Sequence, residues 1–391
     1  MTLRFLTAGE THGPALVAIL EGLPAGLALS PELIDRDLAR RQEGYGAGPR
    51  MKLEHDHVRI LSGVLEGLTT GAPLAMLVEN QDHARWQGRP VDPMTIPRPG
   101  HADLVGAVKY GYPDLRPALE RASARETAVR VAVGAACRAL LEQFGIQVGG
   151  YVASIGEVTA GLASLSLAER IALAAENDVH CPDLAAVQAI EASIRQAMLD
   201  KDTLGGVIEV AALGLPPGLG SFVHWDRRLD ARLGAAVLSI QAIKGVEIGP
   251  AFENARRRGT QANDPINLDP TAGRLTRSGL ASGGTEAGVS TGQPLLVRAA
   301  MKPIPTTLTP QLSVDLLRGE PGETRYERSD FCPVPRAVVI VEAMVAFVLA
   351  DCLLEKLGGD SLAEMQPRFQ ALRQARLEDL HLDGEEHIFW P

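Results

Sequence analysis

Two histidines set among glycines and arginines are the residues best suited to chemistry: His12 in Gly9-Glu-Thr-His-Gly13, and His101 in Arg98-Pro-Gly-His-Ala-Asp103. Imidazole is the side chain best matched to proton transfer at neutral pH, and neighbouring arginines are expected to favour its neutral form. The same pattern also suits solvated loop histidines. A second signal follows at Arg121-Ala-Ser-Ala-Arg-Glu126, where Ser123 and Glu126 have the spacing of a capping box. That spacing predicts a helix starting at Ser123, whose free N–H groups, flanked by Arg121 and Arg125, form an anion seat. A capped core helix with two solvated arginines fits the same residues.

Further polar turns end apolar elements in the second half: Gln241-Ala-Ile-Lys-Gly245, Lys302-Pro-Ile-Pro-Thr306 and Arg328-Ser-Asp330. Arginine outnumbers lysine 32 to 6, and clustered guanidinium groups are good clamps for carboxylates and phosphates because their planar fork donates two parallel hydrogen bonds. His55 and His57 alternate on an expected strand without a third ligand nearby, so no metal site is predicted. No dinucleotide turn, Walker loop or nucleophile elbow occurs. Residue chemistry alone therefore indicates a phosphate- or carboxylate-bearing substrate and histidine acid/base chemistry, with the reaction open.

Something rigid must hold these loops. The 391 residues, 46% of them apolar, are ample for a packed interior and predict two lobes or a duplicated domain. A net charge of −10 argues against a broad nucleic-acid or anionic-membrane surface, which requires positive charge. Four scattered cysteines, a first segment without an export-type apolar core, and an apolar run at 337–350 interrupted by Glu342 predict a reduced, cytoplasmic, soluble chain.

Strands are expected at Val17–Leu20, Val58–Leu61 and Leu74–Val78, and helices from Ser30, from Ser123 to Phe144, from Arg227 to Ile243 and from Ala337 to Leu357. Three patterns recur in order. Leu215-Pro-Pro-Gly-Leu219 echoes Leu23-Pro-Ala-Gly-Leu27, the run 282–295 echoes 62–74, and the last apolar helix echoes the one at 123–144. The expectation is one domain over 1–391, made of a first half-repeat (about 1–148), an insert (about 149–205), a second half-repeat (about 206–358) and a C-terminal segment with a tail (359–391). Halves related by a pseudo-twofold axis would share a site on that axis.

Together with Arg41-Gln-Glu-Gly-Tyr-Gly46, these motifs occur in the order found in chorismate synthases, and the chain resembles that family from residue 9 to about 345. The resemblance implies an α+β fold with a β-α-β sandwich core, a homotetramer, and an anti 1,4-elimination of phosphate from 5-enolpyruvylshikimate 3-phosphate that requires reduced FMN. It implies FMN contacts by Arg121, Ala122, Ser123, Gln241, Ala242, Ala287, Lys302, Pro303, Ile304, Pro305, Thr306 and Arg328. It likewise implies substrate clamping by Arg41, Arg50, Arg98 and Arg125, and catalytic roles for His12, His101 and Asp330. NADPH, which the family associates with Arg41 and position 47, is the doubtful cofactor, because Ala47 stands where an arginine is usual; a separate flavin reductase would then supply the reductant. Ala287 replaces a usual glycine. A flavin-free phosphosugar lyase and a non-catalytic anion-binding scaffold would carry similar arginines.

Overall fold

A computed structural model describes residues 3–47, 55–327 and 329–390. Alternating side chains build two antiparallel sheets. The first holds β1 (Arg4–Ala8), β2 (Ala15–Glu21), β3 (Val58–Ser62) and β4 (Leu74–Glu79), in the order β1-β2-β4-β3. Its inner face carries Leu16, Ala18, Leu20, Leu74, Met76 and Val78, all buried, while Leu6, Ile19 and Leu61 point out and are exposed.

The second sheet repeats this order. It holds β5 (Gln147–Ile155), β6 (Gly206–Leu213), β7 (Ile243–Ile248) and β8 (Leu295–Met301), arranged β5-β6-β8-β7, with Val158–Thr159 added beside β5. Residues 149–155 were expected to open an insert, but they pair antiparallel with β6 over the length of the sheet and are buried almost throughout, so they belong to it. What separates β5 from β6 is the excursion 156–205, with helices at Leu167–Ala174 and Leu184–Leu199.

Four helices fill the space between the sheets: α1 (Pro31–Gln42), α2 (Thr127–Glu142), α3 (Leu229–Leu238) and α4 (Val334–Leu357). Helix α2 packs on β2 and β4, α4 packs on β5 and β6, and α2 and α4 pack on each other, giving sheet, helices, sheet. At their crossing Gly134 meets Ala343 so closely that a Cβ on Gly134 would overlap it. Helix α4 is apolar on every face, and although long enough to cross a membrane, 94% of its most apolar window is buried here. The chain is α+β, with a sandwich of helices between sheets.

Charged residues of α1, α2 and α4 pair across this core. Glu342 of α4 accepts from Arg40 Nη1 and Nη2 of α1 at 2.8 and 2.9 Å and from the Gly150 N–H of β5 at 2.8 Å. Arg138 of α2 reaches both Glu342 and Asp37. Burial opposes ionisation of Glu342, but Arg40, Arg138 and the Gly150 N–H outweigh it and hold the carboxyl below its usual range.

The two Leu-Pro-x-Gly-Leu turns are tied in the same way. Thr69 Oγ1 donates to Pro24 O (2.6 Å) and accepts from Leu27 N (2.9 Å), while Ser290 Oγ donates to Pro216 O (2.7 Å) and accepts from Leu219 N (2.8 Å). Both hydroxyls are buried. Ser290→Ala strands one buried donor and one acceptor, so it is expected to cost about 1–3 kcal/mol, and Thr69→Val a similar amount. Denaturant midpoints measured on both variants check this, and an unchanged midpoint would show the hydroxyls to be dispensable.

Two helices differ from expectation. The third ends at Leu238 instead of running to Ile243, because Ala242 turns the chain at a φ of 66° and Ile243 starts β7. The second begins with a single 3-10 turn at Ala124–Glu126, and the polar connection before it is itself helical at Asp103–Tyr110 and Arg116–Ala122. Ser123 does cap that turn, accepting from Arg125 N at 3.3 Å. Glu126 does not close the box: it accepts from Thr7 Oγ1 at 2.6 Å and from Arg130 Nε at 2.8 Å. Those partners come from β1 and from one helical turn on, and they outbid the local N–H.

Candidate active site

Loops and helix ends from both sheets and the helices between them meet in a cavity of about 620 Å³. Its wall takes Arg41 from the end of α1 and Gln241 and Ala242 from the end of α3. The start of α2 gives Ser123, Ala124 and Arg125, and the approach to α4 gives Asp330, Pro333 and Arg336. Trp86 follows β4, and Lys302, Ile304, Pro305 and Thr306 follow β8.

Positive charge dominates one side. Arg125 Nη1 bonds both oxygens of Asp56 at 2.7 Å, its Nε bonds Asn80 Oδ1 at 2.8 Å, and Arg41 Nη1 lies 3.4 Å from the same Asp56. Arg336 bonds Asp330 at 2.5 Å and donates to the Arg41 carbonyl at 2.9 Å. Among the described residues, three buried guanidinium groups gather around the carboxylates of Asp56 and Asp330. Burial and the nearby Arg336 push Arg41 down to about 9, against the pull of Asp56. An anion entering here would relieve that repulsion.

Each histidine is backed by a carboxylate. His12 Nδ1 lies 2.7 Å from Glu120 Oε1, its backbone N–H donates to Glu120 Oε2 at 2.9 Å, and its ring stacks on Trp86 with centroids 4.0 Å apart. His101 Nδ1 lies 2.6 Å from Asp103 Oδ1, and the same buried carboxylate accepts from Arg98 Nε at 2.8 Å and Nη2 at 3.0 Å. Arg98 also donates to Thr306 Oγ1 at 3.1 Å. The sequence led us to expect neighbouring arginines, and Arg98 Nη2 does lie 3.0 Å from His101 Nδ1; the carboxylates of Glu120 and Asp103, given no role in the sequence reading, hold the two rings as well. Asp103 has a local signal in its His-x-Asp spacing, whereas Glu120 and Asp56 have none.

Burial raises the cost of charging Asp103, yet the hydrogen bonds from His101 and Arg98 win and hold it far below the usual carboxylate range; Glu120 is lowered in the same way by His12. A carboxyl whose folded value is depressed adds stability that is full above its unfolded value and is lost as pH falls through the folded one. Stability should therefore decline as pH drops below about 4, and Asp103→Asn should be less stable at neutral pH with a flatter acid limb. Urea midpoints across that range test it; parallel profiles for the two proteins would reject it.

The cavity gathers His12, His101, Asp330, Arg41, Arg98, Arg125, Ala122, Ser123, Gln241, Ala242, Lys302, Ile304, Pro305 and Thr306. Arg121, expected there, turns back instead, donating to Thr7 O at 3.0 Å and Thr7 Oγ1 at 2.8 Å, so it braces β1. Pro303 and Ala47 do not line the cavity. Ala287 does not either: it sits exposed in the turn between Thr285–Glu286 and Val289–Thr291, at a φ of 49° that only glycine adopts without strain. Arg50 and Arg328 lie outside the described residues. Among the described residues no group of three histidine, cysteine or acidic side chains could hold a metal ion.

The family model described as chorismate synthase matches residues 3–354. The chain is 53% identical over 380 residues to a chorismate synthase of Trichlorobacter lovleyi, covering 93% of this chain and 97% of that one. It is 51% identical over 390 residues to a chorismate synthase of Chlorobaculum tepidum, covering 95% and 98%. A crystal structure of chorismate synthase superposes with a TM-score of 0.77 at 43% identity, covering 95% of this chain and 97% of that chain.

Proposed function

Because the chain belongs to the chorismate synthase family, carbon–oxygen lyases of aromatic amino-acid biosynthesis, we propose that it converts 5-enolpyruvylshikimate 3-phosphate to chorismate by anti 1,4-elimination of phosphate. The observation that supports this is a cavity combining two carboxylate-backed histidines with the clustered, buried guanidinium groups of Arg41, Arg125 and Arg336.

Arg41 and Arg125, with Arg98 and Arg50, hold the substrate's phosphate and carboxylates. His12 donates a proton from Nε2 to the phosphate as its C–O bond breaks, and Asp330, bonded to Arg336, assists the departure of the proton from carbon as the new double bond forms. His101 attends the cofactor.

The residues fit a reduced flavin. Gln241 Oε1 is a buried acceptor with no hydrogen-bond donor among the described residues, which an N–H of the flavin ring would satisfy. Ser123, Ala242, Lys302, Ile304, Pro305 and Thr306 line the same cavity. Bound FMNH2 lends electron density to the breaking bond with no net redox change. Arg328 joins this set by family pattern, while Arg121 and Pro303 act through the fold and Ala287 stays outside the cavity.

The same reading includes a homotetramer, supported by the exposed apolar outer face of the first sheet at Leu6, Ile19 and Leu61. It includes the cytoplasm, supported by four cysteines that are buried and free. It also includes a tandem duplication, supported by the matched strand orders and turn hydroxyls, with the second half starting at β5.

The test is chorismate absorbance growing anaerobically from the substrate, with and without reduced FMN. Growth without FMN would indicate a flavin-free lyase, and binding without turnover an anion-binding protein. Because Ala47 carries no guanidinium, the enzyme should depend on a separate flavin reductase or on chemically reduced FMN. Bleaching of FMN by NADPH with the purified protein alone, without oxygen, would reject this dependence.

A further inference from the structure

We infer that Glu120, which nothing in the family pattern carried over to this chain assigns a role, is the positioning residue that makes His12 a proton donor toward the cavity. This builds on the function proposed above for His12. Glu120 grips His12 twice, through Nδ1 at 2.7 Å and through the backbone N–H at 2.9 Å, so ring and main chain are fixed by one carboxylate. The other sides are closed too. The Glu120 carbonyl accepts from Thr11 N at 3.2 Å, His83 Nδ1 lies 2.9 Å from the His12 carbonyl, and Trp86 covers a ring face, with the Arg116 guanidinium carbon 5.7 Å from the Trp86 ring centre.

With Nδ1 committed to Glu120, Nε2 is the ring nitrogen left for a reacting group, and His12 lines the cavity. The chemistry depends on that assignment. An imidazolium that gives up its Nε2 proton becomes the Nδ1–H tautomer, whose remaining proton is still held by an ionised Glu120, so no group has to move. Glu120 is held below the usual carboxylate range, against the cost of burial, by the His12 ring, its N–H and Arg116. It therefore stays an acceptor. An amide in its place could equally donate to Nδ1, which would put the proton on Nε2 in the neutral ring and block its recharging from the cavity. Glu120 sits in the helix Arg116–Ala122, whose Leu119 and Ala122 line the same cavity, so one short element sets both the wall and the ring.

The experiment uses the whole protein labelled with ¹⁵N-histidine, the His12 signals being assigned by their loss in His12→Ala. Wild type should show His12 as imidazolium or as the Nδ1–H tautomer; a neutral Nε2–H ring there overturns the inference without any variant. Glu120→Gln should shift His12 toward the Nε2–H tautomer and lower turnover about 10- to 100-fold, with KM changed little, because the arginines carry ground-state binding. Glu120→Asp keeps the charge and should keep the tautomer while losing less. Turnover within about threefold of wild type in Glu120→Gln, or an unshifted tautomer, overturns the role. The tautomer is read on resting protein, so it stands apart from whether the chain makes chorismate.

Discussion

His12→Ala should lower turnover by about 100- to 10,000-fold, the range for a positioned proton donor, while leaving substrate and FMN affinity within a few-fold of wild type. The separation follows from the geometry. Arg41, Arg125 and Arg98 bind charge already present in the ground state, whereas a proton on Nε2 matters only as charge grows on the departing phosphate. The substitution removes a half-buried ring between Trp86 and Glu120 and leaves the arginine cluster with Asp56 untouched. Single-turnover measurements with reduced FMN, together with substrate titration by flavin absorbance, separate the two effects. His101→Ala should also lose turnover, but should change the spectrum of bound oxidised FMN more than His12→Ala does. Turnover near wild type for His12→Ala would reduce the ring to a surface residue, however much chorismate the protein made.

Glu342→Ala should cost about 3–5 kcal/mol of stability, the range for removing one partner of a buried charge set, with little change in the cavity's ligands. Glu342 is 3% exposed in the middle of the most apolar helix, and its two oxygens join α1, α2, α4 and β5. Without it Arg40 and Arg138 have, among the described residues, only the carboxylate of Asp37, whose pKa burial and Glu342 itself raise against the pull of Arg138 and Arg40. Two guanidinium groups would then share one carboxylate. Glu342→Gln keeps the shape and part of the bonding to Gly150 and should fall between the two. A thermal midpoint within a degree or two of wild type for Glu342→Ala would mean that water enters to solvate the arginines.

Local rules carried far. The apolar periods marked α2 and α4, Ser30-Pro31 marked the start of α1, and Ser123 marked the capped turn that leads into α2. The recurrence of Leu-Pro-x-Gly-Leu turns matched two corners closed by the same hydroxyl geometry. Such features are written in neighbours a few residues apart, where propensity and short hydrogen bonds decide.

The wrong or missing parts lay at long range. Glu126 had the spacing for a capping box, but the partners that claimed it include Thr7, 119 residues away. Arg121 looked like part of the seat until β1 came to lie beside it. Residues 149–155 read as the start of an insert because their partner strand begins only at Gly206. What turns two histidines into a site is likewise distant: Glu120 is 108 residues from His12, and Asp56 is 69 from Arg125. The sequence by itself determined which residues could do chemistry and the elements that carry them. Tertiary structure decided which carboxylate each cation and each imidazole would share, because burial makes an unpaired charge costly and only the packed fold brings its partner within reach.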